Sequence, residues 1–114
     1  MTVRDLPKSP DELDTELERI FPGYSTSTYP PVHDDTPSFH SVLLGFAPYL
    51  GGRLDSFTPE QLREFGELVN AAVAGGGTLE NAFGTCLLEH LHQIRASSVL
   101  RPHLSKLARS RMRA

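Results

Sequence analysis

TLENAFGTCLLEHLHQI, residues 78–94, decides the fold class. Its apolar positions are Leu79, Ala82, Phe83, Cys86, Leu87, Leu91 and Ile94, the recurrence that lines one face of an α-helix. Leu88 widens that stripe, so the segment is expected to touch neighbours on more than one side. The spacing predicts one continuous central helix, capped by Thr78.

Immediately upstream, Gly75-Gly76-Gly77 separates this helix from another. Thr58-Pro59-Glu60-Gln61 is a start signal: a capping threonine, a proline suited to the first helical position, and a glutamine that can close the capping box. The helix that follows is expected to bury Leu62, Phe65, Leu68, Val69, Ala72 and Val73. So short a link favours an antiparallel pair. Further upstream, Thr36-Pro37 is read as the cap and first position of a helix burying Phe39, Val42, Leu43, Phe46, Ala47 and Leu50, with a kink or tightened turn at Pro48 before Gly51-Gly52. Ser9-Pro10-Asp11-Glu12 opens a first helix with Leu13, Leu17, Ile20 and Phe21 inward, ending near Pro22-Gly23. Downstream, Val99, Leu100 and Leu104 suggest a short turn interrupted by Pro102, and Ser105 caps a last basic stretch whose isolated apolar residues are expected to dock weakly. No segment alternates as a strand does, and no repeat is visible. The expectation is one all-α domain over residues 1–114, a compact bundle of four main helices plus a short C-terminal helix. Residues 1–8 form a loose leader, 24–35 a long irregular loop, and 108–114 a frayed end.

At 114 residues, 39% of them hydrophobic, the chain is long enough for one core without staples. The single cysteine rules out an internal disulfide, and its place on the apolar stripe makes Cys86 a small core residue. No run approaches the roughly 20 apolar residues that span a bilayer, and the acidic beginning lacks the apolar core of a signal peptide. The expected location is the cytoplasm.

Charge is unevenly placed. Residues 1–94 hold all 14 acids and 5 of the 11 basic residues, a net −9, while residues 95–114 hold 6 basic residues and no acid, a net +6, giving −3 for the chain. Either the two parts pair internally, or they form two surfaces with different partners. The first helix concentrates Asp11, Glu12, Asp14, Glu16 and Glu18, more acid than capping needs. The loop that follows carries Tyr24 and Tyr29, which can anchor it on the body or serve as recognition residues.

The residues Ser38-Phe39-His40, Ala47-Pro48-Tyr49, Leu68-Val69-Asn70, Leu79-Glu80-Asn81-Ala82, Thr85-Cys86-Leu87-Leu88-Glu89-His90-Leu91, Leu100-Arg101-Pro102 and Leu104-Ser105 together carry a resemblance. They make the last two-thirds of the chain similar to an uncharacterised family of small bacterial helical proteins, a domain of unknown function. The resemblance implies a bacterial source and a helical fold, and supplies no catalytic residue. Small bacterial proteins of this kind include immunity proteins, an analogy of class only.

Four constellations bear on chemistry. Glu89 and His92 share a helix face as in di-iron bundles, but the second Glu-x-x-His such a centre requires is missing, and polar residues beside a wide apolar stripe usually make a buried hydrogen bond instead. His90 and His92, two apart, cannot chelate one ion together. His33-Asp34-Asp35 with His40 could hold a metal or perform acid–base chemistry, although acids before a helix also serve its dipole. Cys86 and His90 could form a thiolate–imidazole pair, but mid-helix burial argues for an inert thiol. Asn81, Thr85 and Glu89 read as a polar seam that fixes packing.

The expectation is therefore a non-enzymatic protein-binding module without cofactor or metal, of the immunity or antitoxin kind, occluding a basic toxin. Its surface would be Asp11, Glu12, Asp14 and Glu18 with Tyr24, Tyr29, His33, Asp34 and Asp35. The alternatives are a metal or enzyme site at Glu89, His90 and His92, and a nucleic-acid accessory role for the basic C-terminal stretch, which lacks aromatic residues for stacking. Contact with nucleic acid is thus not expected, nor with membrane, and the oligomeric state is left open.

Overall fold

Leu62, Phe65, Leu68, Val69, Ala72 and Val73, the inward positions of the helix after Thr58, are all buried, and most of the molecule packs around them. The computed structural model describes residues 6–24, 38–91 and 97–112. Helix α1 spans Pro10–Ile20, α2 Phe39–Gly52, α3 Pro59–Gly75 and α4 Gly77–Cys86. Two short helices follow, α5 at Ser97–Leu100 and α6 at Lys106–Arg109, with single 3₁₀ turns at Leu54–Ser56, Leu88–His90 and Arg101–His103. The described residues contain no strand, and the chain is an all-α bundle. Among the described residues no helix is long and apolar enough to cross a membrane. α3 touches α1, α4, α5, α6 and the Arg101–His103 turn, whereas α4 packs on α2 and α3. The organising helix is thus α3 rather than the 78–94 segment.

That segment is not one helix. At Leu87 the backbone leaves the α region (φ −126°, ψ −66°) and rewinds into the Leu88–His90 turn. Consecutive α-helical side chains point about 100° apart, so Cys86, Leu87 and Leu88 cannot share one stripe. The break lets all three, and Leu91, be buried. Ile94 and His92 lie outside the described residues.

Helix starts follow local chemistry. The Ser9 hydroxyl accepts from Glu12 N at 3.2 Å, and Thr58 exchanges bonds with Gln61, Thr58 N donating to Gln61 Oε1 at 2.8 Å. Gln61 Nε2 also donates to the carbonyl of Ile20 at 3.1 Å, which ties the end of α1 to the start of α3. Two expected caps are displaced. Ser38, in a reciprocal box with Ser41, caps α2 in place of Thr36, which lies outside the described residues. Gly76, with φ +72°, precedes α4 in place of Thr78, and Gly77 is also left-handed at φ +78°. Two such residues in succession reverse the chain in the space a threonine cap would need. Pro48 sits inside α2 without ending it. The carbonyl of Leu44 loses its intrahelical donor there, and Leu44 and Pro48 are both exposed, so solvent can take that bond.

A chain of aromatic rings joins the first four helices. Phe21 stacks on Phe57 (4.6 Å between centroids) and Phe46 (5.4 Å), Phe46 meets Phe65 at 5.3 Å, and Phe65 reaches Phe83 at 6.4 Å. Tyr24 stands edge-on to Phe46 at 5.2 Å and lies 5.1 Å from Tyr49.

The C-terminal end is docked, not loose. Asn70 of α3 donates from Nδ2 to the carbonyl of His103 (3.1 Å) and accepts from Ser105 N through Oδ1 (2.7 Å), so one side chain satisfies two backbone groups over thirty residues away. A Cβ on Gly66 would stand 2.6 Å from the Cβ of His103 and 2.8 Å from its carbonyl oxygen. Only glycine admits that approach. Ala108 is fully buried and Met112 packs on the core, so residues 108–112 correct the expectation of fraying.

Candidate partner-binding surface

α1 carries Leu13, Leu17 and Ile20 inward against α2 and α3, which turns Asp11, Glu12 and Arg19 to solvent and leaves Asp14, Glu16 and Glu18 at the margin. These acids divide by what they touch. Glu16 holds the Arg19 guanidinium, which also lies 3.0 Å from Glu64 Oε2 in an electrostatic contact without hydrogen-bond alignment. The hydrogen bond that Arg19 donates to Glu16, then the charges of both carboxylates, hold Arg19 above its ordinary pKa. Glu18 accepts from Gly23 N at 2.9 Å and so closes the turn after α1. Glu12 accepts from Lys8 N at 3.3 Å.

Asp11 and Asp14 have no cationic partner among the described residues. Burial, then the like charges of Asp11 and Glu18, raise the Asp14 carboxyl above its ordinary range. Asp11, Glu12, Thr15 and Glu16 line one side of an open cleft of about 320 Å³, and Leu6 and Pro7 line the other. The result is an acidic groove with an apolar lip.

Tyr24 does not belong to this surface. It is 1% exposed, and burial, with the charge of Asp14 next, pushes its hydroxyl up to about 12. It anchors the chain after α1 on α2, which removes it from the expected set of contact residues. Tyr29, His33, Asp34 and Asp35 lie outside the described residues.

The other constellations are placed differently from their spacing. His40 Nε2 meets Asn81 Nδ2 at 3.4 Å, so His40 faces α4. Thr85 Oγ1 donates back to the carbonyl of Asn81 at 2.9 Å and lies 3.7 Å from Cys86 Sγ. The seam therefore joins α2 to α4 and closes on its own backbone. Glu89 is half-buried and His90 exposed, and both make contacts. Among the described residues no three His, Cys, Asp or Glu side chains gather as a metal ion requires.

The basic end returns one of its cations to the fold. Arg111 Nη1 bonds Glu80 Oε1 at 3.0 Å, and its guanidinium fills the space beside Gly84 that a Cβ would occupy. Both side chains are about one-third exposed, so the pair is only partly screened. Neither Gly66, Gly84 nor Asn70 stood out in the sequence as a clasp. The available signal was small or amide residues on the inward side of α3 and α4, next to positions already read as apolar.

Comparison of the chain with protein-family models, curated proteins and solved structures finds no match to any of the three.

Proposed function

We propose that the protein is a non-enzymatic binding module that takes a basic protein partner on the α1 face, in the manner of an immunity or antitoxin protein. One observation carries this reading. Asp11 and Asp14 lie one helical turn apart with Glu18 one turn further on, and neither aspartate has a cationic partner among the described residues. Burial, then these like charges, hold Asp14 above its ordinary range. A lysine or arginine of a partner laid in the groove would meet Asp11, Glu12 and Glu16, which line it, and Leu6 and Pro7 would cover its aliphatic stem. Occlusion of a cationic site needs no more than this. Glu12 contributes charge, while Glu18 serves mainly by holding Gly23.

The test is affinity capture from extract of the source organism, followed by binding kinetics on the purified partner. The expected partner is basic, associates more slowly as salt rises, and is lost when Asp11 and Asp14 are both changed to lysine. A partner held equally by that double variant, or with salt-independent association, rejects the acidic face as the binding surface.

A further inference from the structure

We infer that the cleft between α5 and α6 is a binding site for a phosphoryl oxyanion. Ser97, Ser98, Arg101, Pro102 and Arg109 line an open cavity of about 440 Å³. Among the described residues, neither Arg101 nor Arg109 makes an ion pair, although Arg19, Arg63 and Arg111 all do. Two arginines without an ion pair thus line the same cavity as two serines, and residues 97–112 contain no acid.

Of the two arginines, Arg109 is held by the fold. Arg109 donates from Nε to the carbonyl of Leu104 at 3.0 Å, which fixes the plane of its guanidinium and leaves the Nη edge for a ligand. Leu104 is itself buried, and the adjoining His103 and Ser105 are clamped by Asn70. Arg101 opens the turn directly after α5, and Pro102 stiffens the backbone between the two cations.

The ligand chemistry follows from donor geometry. A carboxylate offers two oxygens and a single charge, so a fork that engages both leaves fewer acceptor sites for a second fork and a hydroxyl. A phosphoryl group offers three, carries up to two charges, and can accept from both forks and a seryl hydroxyl at once. The site does not depend on the acidic α1 face, and either can fail without the other.

The experiment is titration of the full chain, followed by amide chemical shifts, with inorganic phosphate and separately with phosphoserine, against sodium chloride at matched ionic strength. Saturable shifts centred on residues 97–110, absent with chloride, are expected. Arg101→Gln and Arg109→Gln should each weaken binding about tenfold or more, and Arg101→Lys should keep part of it because the charge remains while the fork is lost. Tighter binding of phosphoserine identifies an esterified phosphoryl group as the ligand, and equal binding identifies the free ion; either supports the site. Both arginines are exposed, so an unchanged circular dichroism spectrum will show that the variants fold. Absence of a saturable shift overturns the proposal, as do shifts that persist in the double glutamine variant. A short single-stranded DNA that moves Lys106 and Arg111 as strongly as Ser97 and Arg101 also overturns it, by replacing a cleft with an extended track.

Discussion

The two ends of the described chain are docked by different kinds of contact. On α1 the apolar positions and the ring of Phe21 hold the helix in place, and the carboxylates of Asp11 and Asp14 have no cationic partner among the described residues. At the C-terminal end, polar groups do the holding: Asn70 bonds two backbone groups, and Arg111 is seated on Glu80 over Gly84. Each end builds some charges into the fold, Glu16 with Arg19 and Arg111 with Glu80, and leaves others, Asp11 and Asp14 or Arg101 and Arg109, without an ion pair among the described residues. Counting charges along a sequence therefore does not tell which of them face a partner.

The contrast can be broken most severely on the α1 side. Phe21→Ala removes a ring that touches Phe46, Phe57, Phe65 and Tyr49, and should cost about 3–5 kcal/mol in urea unfolding. An effect below 1 kcal/mol would mean that α1 is held by something other than its apolar face. Asn70→Ala leaves the His103 carbonyl and the Ser105 amide unpaired, and about 1–3 kcal/mol is expected, together with faster amide exchange over residues 103–109. Equal protection in the variant would show that apolar contact alone docks that end. Arg111→Gln should cost no more than about 1 kcal/mol, less at high salt, because the pair is partly exposed.

Proton linkage separates the two sides of α1. The Tyr24 hydroxyl is raised, so its contribution to stability is complete below pH 10 and is lost as pH rises through about 12. Alkaline unfolding that steepens over that window should become shallower in Tyr24→Phe. Asp14 is also raised, and the sign is the same: its contribution is complete below the ordinary carboxylate pKa and is lost as pH rises through the higher folded value. Asp14→Asn should accordingly raise the melting temperature slightly at neutral pH and leave it unchanged near pH 3. A fall at neutral pH would indicate that Asp14 has a partner within the fold.

Much of the core was legible because it is local. The inward positions of α3 and the caps at Ser9, Thr58 and Ser105 depend on residues three or four apart, which a helix places together whatever else happens. The break at Leu87 was less so, since periodicity alone cannot tell a wide stripe from a rewound one. The cap at Ser38 competed with an equally good signal at Thr36-Pro37. What could not be read was long-range: Asn70 sits between Val69 and Ala71 with nothing nearby to name His103 or Ser105 as its partners. The phosphoryl cleft was hidden because Arg101 and Arg109 belong to two different short elements, the Arg101–His103 turn and α6, and no helical spacing relates them. Among the expected contact residues, Asp11, Glu12 and Asp14 kept the exposure or charge their spacing suggested, whereas Tyr24 was claimed by the core.

Gly66 gives one mutation two opposite signs. In an isolated peptide covering α3, alanine at this position should increase helix content, since glycine within a helix costs about 1 kcal/mol relative to alanine. In the whole protein the same methyl group meets the Cβ and backbone of His103, and overpacking of this sort costs about 1–3 kcal/mol. A design procedure that scores each helix alone would choose the substitution that unseats the far end of the chain.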